Sequence, residues 1–299
     1  MCLLGQSCVF DESSLIFKKV LGIDVCSPQI QRVCRYYGEL MDPLIEKNLE
    51  EYIPKLTNVK KQDKVYVMVD GSFLPTTQKE WKEIKLARIF TDRKIIPISP
   101  KRNEVVDSVY VSHMGSVNTF FPKLERHLVD YENKVIIADG ATWIWNWADD
   151  NYPGAIQILD FYHAKEKLVL FAKHQLKDVE QPTEWVNQMC SALKENKVER
   201  VISKISAMRS RNEKAKEAKT KLIKYYIAHA DRMMYKSYRD QGLLIGSGPI
   251  ESAHRNVLQQ RMKLSGQKWT IDGANAMANL RCYQKSGAWD IIEGIIKAA

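Results

Sequence analysis

Long apolar runs, paired cysteines and a nucleophile elbow are all missing from this chain of 299 residues. No apolar stretch approaches the roughly 20 residues that a bilayer-spanning helix needs, which excludes membrane spans of that kind. The start, MCLLGQSCVFDESS, has no basic n-region and too short an apolar segment for a secretory signal. Six cysteines (Cys2, Cys8, Cys26, Cys34, Cys190 and Cys282) are scattered without a CxxC pair. That spacing speaks against a disulfide framework or a zinc ribbon and for reduced thiols. No serine or cysteine sits in a recognisable nucleophile elbow, so no nucleophile of the protein's own is indicated. These absences together predict a soluble, cytoplasmic protein.

What is present is apolar content enough for a core, 45% of residues, and a strong positive balance, +9 with a pI of about 9.1. Polyanions such as nucleic acid are the first partners to consider. The charge is also localised. Residues 194–239 hold 14 Lys/Arg against 5 Asp/Glu, an excess equal to that of the whole chain. A basic stretch on helices favours nucleic acid over a merely solvated face.

In chain order, residues 1–60 read as helices with loops. There Ser27-Pro28 precedes an amphipathic QIQRVCRYYGEL, with serine as N-cap and proline at the first helical position. That segment resembles the second half of a helix-turn-helix and equally suits a plain packing helix. From residue 64 the texture changes. VYVMVDG, EIKLARIF and a segment around 108–112 read as strands, and Phe120, Phe121, Leu124, Leu128 and Tyr131 recur at helical spacing. VIIADGA, a Trp-rich helix and IQILD follow, an α/β order with mixed pairing. From His163 to about Arg239 the pattern is helical, interrupted at Pro182. Gly246-Ser247-Gly248-Pro249 then signals a helix start, with Glu251 in its first turn and Arg255 four residues on. A last helix is predicted near residues 272–286, its start anchored by Trp269.

Residues 134–164 concentrate the chemistry. Two apolar runs there deliver Asp139 and Asp160 to strand ends, and an upstream run delivers Asp70. With Glu251 these carboxylates suit Mg2+, a hard cation that takes oxygen ligands. Two such ions roughly 3.5–4 Å apart can activate a water or a 3′-hydroxyl and stabilise the leaving oxygen of a phosphoryl displacement. Asp139 is preferred to Asp160 as a ligand. Asp139-Gly140 echoes Asp70-Gly71, and glycine there lets phosphate approach the backbone. Asp160 is placed to cap the helix starting near Phe161. His163 reads as orienting the site, as a phosphate contact, or as a structural histidine. Of Trp143, Trp145 and Trp147, at least one should lie near the surface, because alternating spacing cannot put all three on one helix face. Lys82, Lys85, Arg255, Arg261 and Lys263 are the basic residues expected to contact DNA phosphate near the site.

VMVDG, WKEIKLARIF, IIADGATW, LDFYH and GSGPIESAHR, in that order, resemble a bacterial insertion-sequence transposase of the DDE class. The match is to the ISKra-type group, related to Mutator-like elements. The resemblance runs over about residues 60–290. It implies an RNase H-like mixed-sheet core interrupted by an all-helical insertion before the last catalytic carboxylate. On it Asp70, Asp139 and Glu251 take the DDE positions as catalytic metal ligands. Asp160 and His163 match the C/D-x-x-H motif one strand later. The implied domains are a helical N-terminal segment (1–60), a first core part (61–175), the basic insertion (176–242) and the final core helices (243–299). The implied activity is Mg2+-dependent cleavage of transposon ends and transfer of the 3′-OH into target DNA, with Mn2+ able to substitute. A homodimer on double-stranded DNA, associated with the bacterial nucleoid, is implied as well. Family members usually carry a longer N-terminal DNA-binding region, so a truncated copy is expected. A structure-specific nuclease on the same core, or a non-catalytic DNA-binding relic, are the alternatives.

Overall fold

The computed structural model describes residues 1–99, 102–176 and 182–298. The chain divides into two compact units, one of Met1–Lys134 with Gly248–Ala299 and one of Val135–Ser247. Both mix helices with strands, so the class is mixed α/β.

The first unit opens with short helices α1 (Cys2–Ser7) and α2 (Phe10–Ile16), then α3 (Ser27–Glu39) and α4 (Met41–Glu46). α3 starts one residue earlier than its sequence suggests. Cys26 is the N-cap and makes no side-chain cap, because the Ser27 hydroxyl donates to Asp11 instead. β1 (Val65–Pro75), β2 (Trp81–Thr91) and β5 (Val109–Met114) form an antiparallel sheet in the order β5-β2-β1. Val65 to Val69 are buried on both faces, which explains a continuous apolar run where a half-solvated strand would alternate. Between β2 and β5 lies an antiparallel strand pair that the sequence does not announce, β3 (Ile95–Ser99) with β4 (Arg102–Val105). Ile96 and Ile98 are exposed there, so burial leaves no core-facing pattern to detect. α5 (Val117–Arg126) packs on β5 through Phe120, Phe121 and Leu124.

The second unit contains a βαβ turn: β6 (Lys134–Ala138), α6 (Thr142–Asn151) and β7 (Ile156–Leu159). β6 and β7 run parallel, Val135 opposite Ile156. Helices follow: α7 (Phe161–Gln175), α8 (Pro182–Lys194), α9 (Val198–Ala207), α10 (Glu213–His229) and α11 (Tyr235–Asp240). Pro182 is the first residue of α8, where a missing N–H costs nothing. α7 packs on α10 and α8. The Tyr226 hydroxyl, buried in this bundle, donates to Ala164 O at 2.9 Å.

The chain then completes the first unit with α12 (Gly248–Ala253), a π-helical turn over His254–Gln259, α13 (Gln260–Met262), α14 (Ile271–Lys285) and α15 (Trp289–Ala298). α14 carries Ala274, Met277, Ala278 and Leu280 inward, and Trp269 donates its indole N–H to Met262 O at 2.8 Å just ahead of it. α14 lies against β5 and α3. The α3 contact is backbone to backbone. A methyl group on Gly38 would come within 2.3 Å of Ala276 O, an atom that cannot turn aside. Gly38→Ala should therefore cost about 1–3 kcal/mol in denaturant unfolding despite alanine's better helix propensity. Gly154→Ala, with nothing within 4 Å of the new methyl, should leave the midpoint in place; equal midpoints for the two variants would contradict this packing.

Candidate functional site

In the first unit Asp70 is not at a strand end. β1 continues to Pro75, and Asp70 faces Leu86 in the ladder with β2. Burial changes at that residue: Val65–Val69 are inside, Asp70 is half-buried, and the β1 ladder carries the chain onward. An apolar run that stops therefore marks the end of the core, not of the strand. The Gly71 N–H donates to Asp70 Oδ1 at 2.7 Å. Gly71 is closely packed against Glu83, whose Oε1 lies 2.3 Å from where a Cβ would sit. This glycine makes room for a neighbouring side chain.

Glu251 is exposed in the first turn of α12, where a carboxylate complements the helix dipole. Arg255 is exposed too, and from His254 to Gln259 the backbone winds as a π-helix. His254 is the residue the sequence reading overlooked. It is buried, with Nε2 3.4 Å from Asp70 Oδ2. Burial holds its pKa down to about 4, so at neutral pH a neutral imidazole stands beside the carboxylate. Its one signal was its place three residues after Glu251 in a motif otherwise read for its glycines.

Of the five basic residues expected to contact DNA phosphate near the catalytic carboxylates, two are buried. Lys85 is buried, with Nζ donating to Gly115 O at 2.8 Å and 2.9 Å from Glu83. Arg261 is 1% exposed, donates Nε–H to Gly5 O at 3.0 Å and lies over the rings of Phe10 and Trp269. Neither presents its charge on the surface. Both lie at positions where a long aliphatic stem helps fill the core, which composition cannot show. Lys82, Arg255 and Lys263 do reach solvent; Lys82 pairs with Glu80 at 3.2 Å and Lys263 sits over Trp81.

In the second unit Asp139 follows β6 directly and is half-buried. Its Oδ1 accepts from the Ala141 N–H at 2.9 Å, and its carbonyl accepts from the Trp145 indole at 2.7 Å. Trp145 and Trp147 are buried while Trp143 is half-exposed, as helical geometry requires. Asp160 is different in kind. It is fully buried and caps α7, with Oδ1 accepting from the Tyr162 and His163 N–H groups and Oδ2 from the Ser247 N–H at 2.9 Å. His163 Nδ1 lies 3.3 Å from Asp160 Oδ2. That pairing raises His163 to about 9 against the cost of burial, so the imidazolium is the neutral-pH form.

Tyr225 and His229, one turn apart on α10, join Asp139 unforeseen. A Cβ on Gly140 would strike the Tyr225 ring at 2.1 Å, so this glycine admits an aromatic ring against the backbone. The rings of Tyr225 and His229 meet edge to face at 4.8 Å. The Tyr225 hydroxyl and His229 Nδ1 are buried without hydrogen-bond partners among the described residues. Burial, reinforced by Asp139, Asp160 and Glu166, pushes the Tyr225 phenol well above its ordinary range. The i, i+4 spacing of Tyr225 and His229 was visible but lay within a helix read only for its lysines.

Carboxylate oxygens are the right donors for Mg2+. Among the described residues, however, no three His, Cys, Asp or Glu side chains are gathered closely enough to hold a metal ion. No helix among them is long and apolar enough to cross a membrane.

The sequence profile of UPF0236, an uncharacterised protein family, matches residues 42–293. The chain belongs to that family. A relative within UPF0236, the "UPF0236 protein in vanSb 3′region" of Streptococcus gallolyticus, is 22% identical over 306 residues, covering 97% of this chain and 63% of the relative. The chain therefore spans less than two thirds of that relative's length. Among solved structures, the "Drosophila P element transposase strand transfer complex" aligns at 11% identity over 97% of this chain and 90% of that one. Its TM-score of 0.24 is well below what a shared fold gives.

The Asp160–His163 pair generates a pH prediction. His163 has a folded pKa of about 9, above its ordinary 6.5, so the stability it contributes is complete below about 6.5 and lost as pH rises through about 9. Wild-type protein should show a falling unfolding temperature across that interval, and His163→Gln should flatten that limb. An unchanged alkaline limb in the variant would place the titration elsewhere.

Proposed function

We propose that this UPF0236 protein is a DNA transposase of the DDE class on an RNase H-like core, of the ISKra-type group, working as a homodimer on double-stranded DNA. The reading assigns Asp70 and Glu251 of the first unit and Asp139 of the second as ligands of two Mg2+ ions, with Mn2+ able to replace them. When bound, the ions would supply a polarised nucleophile and charge stabilisation for phosphoryl transfer. The observation that carries the reading is the ordered set of motifs. In it VMVDG and IIADG each bring an aspartate to the point where a buried apolar run first meets solvent, and GSGPIE exposes a glutamate at a helix start.

The chain's own residues have separate tasks in this reading. Asp139 is left half-exposed while Asp160 is consumed as a buried cap, which supports Asp139 over Asp160 as the ligand. The His163 imidazolium, tied to Asp160, places a positive charge beside α7's first turn, suited to a scissile-strand phosphate. Neutral His254 next to Asp70 can hold that carboxylate in one orientation without neutralising it. The lysine-rich helices of residues 194–239 supply the sequence-independent attraction to DNA.

Asp139→Asn should abolish cleavage and joining of transposon-end DNA, a loss of several kcal/mol of transition-state stabilisation or on the order of a thousandfold in rate. DNA binding should survive. Asp160→Asn keeps a good N-cap and should impair the reaction less. Full activity in Asp139→Asn sinks the assignment; cutting without joining by the wild type would instead identify a structure-specific nuclease, and neither activity with Mg2+ or Mn2+ a DNA-binding relic.

A further inference from the structure

The first unit holds a cleft of about 970 Å3 that the phosphoryl-transfer reading does not use. Its walls come from α2, from the N-terminal halves of α3 and α14, and from the 265–270 loop. Both helices present their N-terminal ends, where free N–H groups and the dipole favour anions. Helix ends alone do not make a site. The deciding residue is Arg261, 1% exposed, whose guanidinium lies between Phe10 (4.7 Å) and Trp269 (5.6 Å), two residues of the cleft wall. Its Nε is satisfied by Gly5 O, and with the Gln267 amide turned its Nη1 donates to that side chain at 3.1 Å. Nη2 has no partner.

A buried guanidinium with an orphaned N–H is costly unless an anion completes it. Arg35 already pairs with Glu39 at 2.6 Å and Asp272 at 3.5 Å, and the Asp11 carboxylate accepts from the Ser27 hydroxyl. Arg261 and exposed Lys268 are left without a carboxylate in ion-pair range among the described residues. Thr77 and Gly266 line the cleft beside them. We propose that this cleft is a phosphate-binding site, in which Arg261 and Lys268 take a phosphate group from nucleic acid or from solution. The planar guanidinium, fixed between two rings, suits the oxygens of a phosphate better than a halide or an apolar ligand.

The test uses the full chain and two probes, inorganic phosphate and a short DNA duplex, each titrated while the Trp269 indole N–H resonance is followed. Trp269 borders the cleft and its indole is pinned to Met262, so a shift reports local occupancy. The proposal expects that resonance to move with at least one probe and Lys268→Ala to weaken the same interaction severalfold. Where DNA is the source, the salt slope of binding should also fall by about one unit in Lys268→Ala. A shift with both probes and displacement of phosphate by DNA assigns the site to a DNA phosphodiester; a shift with phosphate alone supports the site and assigns it to free phosphate. Arg261→Lys keeps the charge but loses the fork, and if folded should bind more weakly. No shift with either probe, or Lys268→Ala binding as tightly as wild type, overturns the proposal. Asp139→Asn should bind normally here, so failure of the catalytic reading and failure of this one are separable.

Discussion

One buried guanidinium ties the first unit together. Arg281, on α14, is 3% exposed and donates Nε–H to Val257 O, Nη2–H to Asn256 O and Nη1–H to Gln6 O. Two of those carbonyls belong to the π-helical turn, whose wider winding disturbs the usual ladder and leaves acceptors to be satisfied from outside. Arg281 satisfies them and joins α1 to α14 in the same act. Burial draws its pKa down to about 10, which still leaves it charged at neutral pH. A lysine could not make three divergent bonds from one planar head.

That arrangement has a consequence for chemistry. The π turn sets His254 into the interior beside Asp70 while Glu251, one turn earlier, remains in solvent. π-helical turns often occur at functional positions because they redirect side chains within an otherwise regular helix. The second unit reaches a comparable result by other means. A capping aspartate, Asp160, fixes the start of α7 and binds the Ser247 N–H, while Gly140 lets Tyr225 press against the chain next to Asp139.

Much of this was legible in the residues. Apolar runs located β1, β6 and β7, amphipathic spacing located α5 and α14, and the Asp-x-x-His step after IQIL announced a helix cap because a short acceptor must satisfy first-turn N–H groups there. What escaped depended on distant partners. The continuation of β1 past Asp70 follows from its pairing with β2, not from its own composition. Lys85 and Arg261 look like surface cations until Gly115 O, Gly5 O and two aromatic rings are placed around them. Both glycines after the aspartates were read as openings for phosphate, whereas side chains from elsewhere in each unit occupy those approaches. The π turn had no local signature at all.

The central proposal is that Asp70, Asp139 and Glu251 are each divalent-metal ligands. It is tested most directly by titrating Mn2+ into the full chain and into Asp70→Asn, Asp139→Asn and Glu251→Gln, following free Mn2+ by electron paramagnetic resonance. The claim predicts that each substitution, in a folded protein, weakens binding at least tenfold, about 1.4 kcal/mol, and that Asp160→Asn does not. Equal Mn2+ binding by all four variants and the wild type would contradict it.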